Sequence, residues 1–206
     1  KGIVTNTVVL KDMTDKYGSI IDLTKRYFDI TDKKVAIEID GHSTSELLDV
    51  GEKFTKLSDR IILKIPMTEY ALEAFSELKK SNVETFCTTI FSLNQAVIAA
   101  NAGVTHVLPF CEPFLDVNKD STELIREISS TFEGWQNRPF VTAALVRSVA
   151  TAHKALKDGA DGIIIFWPIF KEMIQNKFTD EWNKTFLDHW NGIYDAGNLN
   201  DIGYKP

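Results

Sequence analysis

The chain alternates short apolar segments with longer segments in which apolar residues recur every three or four positions. The short segments are bounded by polar or turn-forming residues, which is typical of buried parallel strands, whereas the longer ones are typical of amphipathic helices. One helix opens with Ser43 and Glu46 at capping-box spacing and carries Leu47, Val50 and Phe54 on one face. The predicted strands lie at about 2–6, 35–39, 61–68, 83–89, 106–110, 139–145 and 162–166. The predicted helices lie up to 28, from 43 to 57, and at 69–80, 93–102, 121–132, 149–157, 168–175 and 179–193.

The regular repetition of strand and helix predicts a right-handed parallel βα fold, either an open doubly wound sheet or a closed barrel. No glycine-rich phosphate loop follows a strand, which lowers the expectation of a dinucleotide-binding sheet and favours the barrel. Seven strands leave an eight-stranded barrel open by one. We therefore predict a (β/α)8 TIM barrel whose first strand would lie before Lys1.

Composition narrows the class of protein without naming a function. A chain of 206 residues, 44% of them hydrophobic and 25% charged, is expected to form a single domain over 1–206. The net charge of −6 argues against a general affinity for nucleic acid or for an anionic membrane. Cys87 and Cys111 have no metal-like spacing, and no signal peptide or transmembrane stretch is visible, so we expect a cytoplasmic protein without a disulfide framework.

A lysine inside the third predicted strand is the first candidate for chemistry. Lys64 lies in the apolar run IILKIPMT at 61–68. Burying an ammonium ion is costly, so such a lysine either pairs with a carboxylate or loses its proton. An amine that loses its proton can attack a carbonyl group, whereas a paired lysine can be purely structural. The strand alone leaves both interpretations open.

The carboxyl ends of the predicted strands collect further polar residues, and in parallel barrels the chemistry lies at those ends. They provide an amine, a carboxylate, hydroxyl groups and an arginine. This is the set that a lysine-dependent aldolase needs as nucleophile, proton shuttle, water-positioning group and anion anchor. The residues are Thr5, Asn6, Glu38, Asp40, Lys64, Thr68, Thr88, Thr89, Phe110, Glu112 and Arg147.

Six stretches together carry a resemblance to a known family. They are GIVTN at 2–6, IILKIPMT at 61–68, CTTIFSLNQ at 87–95, AANAG at 99–103, VLPF at 107–110 and AALVR at 143–147. In this order and spacing the chain resembles the transaldolase family, especially the short subfamily that includes fructose-6-phosphate aldolase. The segment 178–190 also resembles the closing helix of that family.

The resemblance implies a Schiff base between Lys64 and the carbonyl of a ketose or ketose phosphate, formed without a metal or an organic cofactor. A dihydroxyacetone unit would then be transferred to an acceptor aldehyde or released. Glu38 matches the position that holds the catalytic water, and Thr88 matches the threonine that binds the same water. The resemblance also implies carbohydrate metabolism in the pentose phosphate pathway, and a homo-oligomer formed through the closing helix.

The substrate-binding residues follow from the same resemblance. Asn6 matches the asparagine that binds donor hydroxyl groups, and Thr5 lies beside it in the same motif. Phe110 matches an aromatic position that is phenylalanine in typical transaldolases and tyrosine in the aldolase, so it favours transfer. Arg147 matches the anion anchor.

The chain departs from the family pattern at several positions, so other functions are alternatives to the one that the resemblance implies. Leu145 and Glu112-Pro113 occupy positions where the family has a serine and often an arginine, so phosphate recognition would rest mainly on Arg147. The proton-shuttling aspartate of the family's first strand would lie before Lys1. The alternatives are fructose-6-phosphate aldolase activity, a deoxyribose-phosphate type of aldolase, or a barrel without turnover that binds a small sugar or a partner protein.

Overall fold

The computed structural model describes residues 2–199 and 202. The chain divides into two compact units, Lys1–Ile165 and Phe166–Pro206, and each is described by itself. We call the first the barrel unit and the second the C-terminal unit. The expectation of one domain over 1–206 stays a prediction.

The barrel unit is built on one parallel sheet in which each strand pairs with the next strand of the chain. Its seven strands curve into a nearly closed barrel with alternating helices, which confirms the predicted α/β TIM-barrel class. Every predicted strand overlaps an observed one. The strands are β1 (Ile3–Val4), β2 (Val35–Glu38), β3 (Ile61–Pro66), β4 (Thr85–Ile90), β5 (His106–Pro109), β6 (Phe140–Val146) and β7 (Gly162–Ile165).

The helices that follow β1, β2, β3, β4 and β6 each begin with a polar residue whose side chain caps the first turn. Thr68 accepts a hydrogen bond from Ala71 N at 3.2 Å, and Ser148 accepts one from Thr151 N at 3.0 Å. Such side-chain oxygens satisfy backbone donors that the first helical turn leaves unpaired. The helices are α1 (Thr7–Tyr17), α2 (Ile20–Ile30), α3 (Thr44–Thr55), α4 (Glu69–Lys80), α5 (Leu93–Ala102), α6 (Glu112–Leu115), α7 (Glu123–Phe132) and α8 (Val149–Lys157).

Two parts of the helix prediction need correction. The single helical region predicted up to residue 28 is two helices, because Gly18 adopts a φ of 94° and Ser19 caps a new helix through Asp22 N. The predicted capping box at Ser43 is only half formed. Ser43 accepts from Glu46 N at 3.2 Å, but the Glu46 carboxylate accepts from His42 N at 2.8 Å. In a capping box the glutamate accepts from the backbone N–H of the cap residue itself, whereas His42 lies one residue before the cap.

The interior of the barrel unit is closed by one layer of apolar side chains. Because side chains alternate between the two faces of a strand, residues two positions apart point to the same side. In β2 and β3 the residues that follow this layer on the same side are Glu38 and Lys64. The layer consists of Ala36, Ile62, Phe86, Leu108 and Ala144, with Val4, Phe110 and Ile164 packed against it.

The C-terminal unit contains α9 (Trp167–Ile174) and α10 (Lys177–Asp195). Both helices expose large apolar side chains, among them Trp182 and Phe186 one helical turn apart. Within residues 2–199 and 202, no helix combines the length and the apolar character needed to cross a membrane.

Candidate active site

A buried ion pair lies at the carboxyl end of β2 and β3. Glu38 and Lys64 are direct partners in the parallel register of the two strands. Lys64 Nζ donates hydrogen bonds to Glu38 Oε2 and, at 3.0 Å, to the carbonyl oxygen of Thr5. The side chains of Lys64 and Glu38 are only 7% and 10% exposed. The structure therefore brings together the predicted amine and its predicted carboxylate, in the paired arrangement that the sequence left open.

The two carboxylate oxygens of Glu38 are held unequally. Oε2 contacts Lys64, whereas Oε1 accepts from Thr7 N and Thr7 Oγ1 at 3.4 Å each. Contacts of that length lie at the outer limit of hydrogen bonding and are weak. Oε1 is therefore the oxygen that can change partners at small cost.

Thr5 ties β1 to β2 at this point. Its hydroxyl group donates to Ala36 O at 3.0 Å and accepts from Glu38 N at 3.1 Å. With its carbonyl oxygen contacting Lys64 Nζ, Thr5 fixes both members of the ion pair through its backbone and its hydroxyl. The structure thus gives Thr5 a positioning contact, and substrate binding by its side chain stays a prediction.

Thr88 carries the unusual polar atom of the site. It follows Phe86 of the interior layer by two residues on β4 and pairs with Pro66 of β3. Among the described residues, Thr88 Oγ1 is the buried side-chain oxygen or nitrogen that has no hydrogen-bond partner. Leaving a buried hydroxyl group unpaired costs about 1–3 kcal/mol, so proteins rarely keep one without a reason. A hydroxyl group in this state is suited to bind a water molecule or a ligand.

The ends of β4 and β6 are irregular, a feature that the sequence did not predict. The β4–β5 register shifts between Cys87 and Ile90, and the β6–β7 register shifts between Ala143 and Val146. Each shift contains a non-glycine residue with positive φ, at 58° for Thr89 and 53° for Leu145. Bulges of this kind change the direction of neighbouring side chains and are common next to active sites. No glycine marks either bulge, so the sequence carried no signal for them.

Side-chain contacts hold the first of these bulges in place. Thr89 Oγ1 donates to Thr88 O at 2.6 Å and accepts from Met67 N at 3.1 Å. A β-branched residue at positive φ is strained unless its surroundings hold it there. These two contacts link the ends of β3 and β4, and so they fix Thr88 relative to the strand of Lys64.

Asn6 and Phe110 lie at the ends of β1 and β5. Asn6 Oδ1 caps α1 through Val9 N at 2.7 Å, so its carbonyl oxygen is committed to the helix. The Phe110 ring packs against the interior layer, and its centroid lies 5.3 Å from that of Phe91. Their roles in binding a substrate stay predictions.

Arg147 lies on the rim beside a carboxylate. Its side chain is exposed, and its backbone N–H donates to Glu112 Oε1 at 3.1 Å. Glu112 is half-buried at the start of α6, a four-residue helix that the sequence pattern did not predict. A helix of this length is too short to show a hydrophobic period. The backbone N–H of the predicted anion anchor is therefore paired with a carboxylate of the protein.

The two cysteines fit neither a nucleophile nor a metal ligand. Burial raises the pKa of each thiol, at Cys87 and Cys111, to about 12. A thiol with such a pKa is protonated and unreactive at neutral pH. Over residues 2–199 and 202, no group of three or more His, Cys, Asp or Glu side chains is arranged to hold a metal ion.

Fold and site together define an α/β barrel that carries a buried lysine at the carboxyl end of β3. The sequence model of the transaldolase/fructose-6-phosphate aldolase family matches residues 6–190. A "Probable transaldolase" of Thermoplasma volcanium is 32% identical over 95% of this chain and 88% of its own length. The corresponding protein of Streptococcus pyogenes is 28% identical over 92% of this chain and 87% of its own length. The chain therefore belongs to the transaldolase/fructose-6-phosphate aldolase family.

Family membership supports an enzyme with an aldolase-type function. The solved structure of FabK from Thermotoga maritima is also similar, with a TM-score of 0.51, 17% identity and coverage of 69% of this chain and 45% of that chain. At this identity the likeness concerns the fold alone, and it agrees with the α/β barrel.

Proposed function

We propose that the protein is a Schiff-base transaldolase that transfers a dihydroxyacetone unit from a ketose donor to an acceptor aldehyde. The observation that carries this proposal is the buried contact between Lys64 Nζ and Glu38 Oε2 above the apolar floor of the barrel. The pair combines a nucleophile with a proton acceptor within hydrogen-bond reach, as covalent catalysis by an amine requires.

The reaction begins when Lys64 transfers a proton to Glu38 and its neutral amine attacks the ketone carbonyl. The resulting carbinolamine loses its hydroxyl group as water, with the proton supplied by Glu38, and an iminium ion remains. The bond between the third and fourth carbons then breaks, and its electron pair moves into the iminium to give an enamine. Glu38, a carboxylate again after giving up its proton, takes the proton of the hydroxyl group on the fourth carbon, and the aldehyde leaves.

The remaining site residues act on water and substrate in this proposal. The unpaired hydroxyl group of Thr88 and the weakly held Oε1 of Glu38 hold the water that enters and leaves with the carbinolamine. Asn6 binds hydroxyl groups of the donor through its amide NH2 group, which does not cap α1, and Thr5 supports binding by holding the ion pair in place. Arg147 contributes the cation at the rim.

Transfer rather than release follows from the chemistry of Phe110. Releasing dihydroxyacetone requires protonation of the enamine carbon, for which a nearby acid is needed. A phenylalanine ring has no proton to give. Phe110 therefore cannot assist release, and this favours transfer of the unit to an acceptor aldehyde. Fructose-6-phosphate aldolase activity, in which the unit is released, is the alternative outcome.

We further propose that the protein acts in the cytoplasm, in the pentose phosphate pathway, as a homo-oligomer. The exposed apolar side chains of α10 support the last of these, since Trp182 and Phe186 are 60% and 62% exposed. Contiguous apolar surface of this kind marks contact sites in soluble proteins. Light scattering of the full-length protein tests this point, and a monomer at micromolar concentration would contradict it.

Borohydride trapping tests the proposed chemistry. The full-length protein is incubated with dihydroxyacetone, and separately with fructose 6-phosphate, then reduced and mapped by peptide mass spectrometry. We expect a stable adduct on Lys64, absent from Lys64→Met and retained by the matched control Lys157→Met, an exposed lysine on α8. Folded protein that forms no adduct with either donor would contradict the proposal and favour a barrel that binds sugars without turnover.

A further inference from the structure

The end of β4 contains one residue more than the strand beside it. Between the paired positions at Cys87 and Ile90, two residues of β4, Thr88 and Thr89, stand opposite the single residue Leu108 of β5. An insertion of this kind is a β-bulge, which bends the strand and redirects its side chains. Thr89 takes up the extra length, because it is the residue of the two whose φ is positive, at 58°.

Threonine is a poor residue for this backbone conformation. A positive φ brings a branched side chain close to its own backbone, whereas glycine adopts the same φ without a steric penalty. Residues held in such conformations persist where the surrounding contacts over-determine them, commonly at active sites. The side chain of Thr89 must therefore make contacts that a glycine would lack.

These contacts form a closed set of three hydrogen bonds, which we call the hydroxyl clamp. Thr89 Oγ1 donates to Thr88 O at 2.6 Å and accepts from Met67 N at 3.1 Å. Met67 N also donates to Thr88 O at 3.0 Å, so each of the three groups contacts the other two. The clamp holds the peptide group between Thr88 and Thr89 in one orientation, and this orientation fixes the direction in which the Thr88 side chain leaves the backbone.

The direction of the Thr88 side chain depends on its backbone alone. In the part of the chain that the structure describes, no group forms a hydrogen bond with the buried Thr88 Oγ1. The proposed mechanism requires this hydroxyl group to hold the water that enters and leaves with the carbinolamine. Hydrogen bonds weaken steeply when their geometry is distorted, and small displacements in an active site slow the reaction. The backbone that carries Thr88 must therefore be fixed accurately.

We propose that Thr89 is a positioning residue whose hydroxyl group aims the hydroxyl group of Thr88 at the water of the Schiff-base reaction. This inference rests on the proposed function, since it concerns a step of the same reaction. Thr89 acts through Thr88 and needs no contact with the substrate. Its loss should slow the formation and the hydrolysis of the Schiff base and leave binding of the donor nearly unchanged.

Oxygen exchange measures these steps directly. The carbonyl oxygen of dihydroxyacetone leaves as water when the Schiff base forms, and hydrolysis returns an oxygen atom from the solvent. The protein is therefore incubated with dihydroxyacetone in water labelled with a heavy oxygen isotope, and incorporation is followed by mass spectrometry. Lys64→Met gives the uncatalysed background. No acceptor aldehyde is needed, so the transfer step does not enter the measurement.

Two substitutions test the hydroxyl group of Thr89. Thr89→Val keeps the branched shape and removes the hydroxyl group, so the exchange rate and kcat should fall about five- to tenfold while KM for the donor changes less than about twofold. Thr89→Ser keeps the hydroxyl group and should retain at least about half of the exchange rate. A residue that only stabilises the fold would change the melting temperature, but not the exchange rate of the folded protein.

A glycine variant separates backbone strain from positioning. Thr89→Gly adopts the positive φ without strain but has no hydroxyl group, so it should melt at or above Thr89→Val and exchange oxygen equally slowly. If Thr89→Gly exchanged at the rate of the unaltered protein, backbone conformation alone would suffice and the inference would be wrong. If Thr89→Val does not fold, the comparison of Thr89→Gly with Thr89→Ser decides the question.

The matched control lies at the opposite end of β4. Thr105 Oγ1 donates to the carbonyl oxygen of Thr85, the first residue of β4, at 2.8 Å. Thr105→Val therefore removes a similar contact between a side chain and the backbone, and it should change the exchange rate less than about twofold. In the double variant Thr88→Val with Thr89→Val, the exchange rate should lie within about twofold of that of Thr88→Val alone, because both residues act on the same water.

The outcomes distinguish this inference from the proposed function. If trapping with dihydroxyacetone gives no adduct on Lys64, both fail together. If the adduct forms but the exchange rate of folded Thr89→Val falls less than about threefold, only the inference fails. It also fails alone if the losses of the two single variants multiply in the double variant, since Thr89 would then act independently of Thr88.

Discussion

Two lysine–carboxylate clusters in the barrel unit differ in the number of partners that each group has. Lys64 and Glu38 form a buried pair in the barrel interior, with side chains 7% and 10% exposed. Lys154 lies on the outer helices, 42% exposed, and contacts both Asp120 and Asp158 at 2.7 and 2.9 Å. Both clusters are networks of ion pairs, but one is suited to a structural role and the other to catalysis.

The outer cluster, formed by Lys154, Asp120 and Asp158, has hydrogen-bond partners for all of its charged groups. Asp158 accepts from Thr122 Oγ1 at 2.6 Å and from Arg126 as well as from Lys154. Partial burial alone would raise the pKa of Asp158. The pKa nevertheless lies far below its usual value, because these donors stabilise the carboxylate. The contact with Lys154 likewise lowers the pKa of Asp120 to about 2. Every charge has several partners, which holds the cluster in one arrangement.

The inner cluster, formed by Lys64 and Glu38, is less completely hydrogen-bonded. Glu38 Oε1 has only contacts of 3.4 Å, and the hydroxyl group of Thr88 is buried without a partner. A site that must exchange protons and bind water needs such unsatisfied groups, whereas a structural network does not. The comparison teaches that incomplete pairing, rather than the presence of an ion pair, distinguishes the candidate active site.

Removing the lysine from each cluster should produce the largest difference in activity between the two. Lys64→Met should reduce transfer activity by at least about 10⁴-fold, because no other group can form the Schiff base. Lys154→Met should leave activity within about twofold and lower the melting temperature by a few degrees. Coupled turnover assays and thermal melts measure both effects.

Stability needs a separate control at Lys64. Removing one member of a buried ion pair leaves the other charge uncompensated, at a cost of about 3–5 kcal/mol. The double variant Lys64→Met with Glu38→Gln removes both charges and should recover most of that loss while remaining inactive. Activity of Lys64→Met above about 1% of the original would rule out the assigned nucleophile.

Sequence reasoning predicted the barrel, and it singled out the buried lysine and its carboxylate, for identifiable reasons. Apolar runs in the sequence indicate buried strands. The lysine of β3 is unusual because burying an isolated charge in such a run is costly. The pairing of Lys64 with Glu38 follows from strand order and the alternation of side chains, once the sheet is parallel.

The features that the sequence did not predict depend on backbone geometry. The positive φ values of Thr89 and Leu145 arise from register shifts, and neither residue type signals one. The break between α1 and α2 was missed because the apolar periodicity before it is weak. The contact between Glu112 and Arg147 joins groups far apart in the chain, so only the fold reveals it.

The second prediction concerns the proton acceptor of the inner cluster. Glu38→Gln preserves the shape of the side chain but removes its charge, so Lys64 loses the group that takes its proton. Activity should fall about 10²- to 10³-fold, within the range that general acid–base groups contribute. The matched control Glu73→Gln, in α4, should leave activity within about twofold. Full activity in Glu38→Gln would leave the carboxylate with a structural role only.

The third prediction sets function against stability at Thr88. Thr88→Val replaces a buried hydroxyl group that has no partner with a methyl group of similar size, so stability should hold or rise by up to about 1 kcal/mol. Activity should fall about tenfold if the hydroxyl group binds the reacting water. Thr24→Val is the control, because its hydroxyl group donates to Ile20 O at 2.7 Å and its loss should destabilise the fold. A less stable Thr88→Val would show that this hydroxyl group is satisfied in solution.

The smallest effect is the pH dependence of the outer cluster. Since the pKa of Asp120 is lower in the folded protein than in the unfolded chain, its stabilising contribution is present above about pH 4 and is lost as the pH falls towards 2. Asp120→Asn should therefore melt about 2–4 °C lower at pH 6, and this difference should shrink below pH 4. The exposed Asp116→Asn should show no such dependence. A difference that persists unchanged at pH 3 would mean that Asp120 stabilises the fold through packing rather than charge, and the contrast between the two clusters would lose its electrostatic basis.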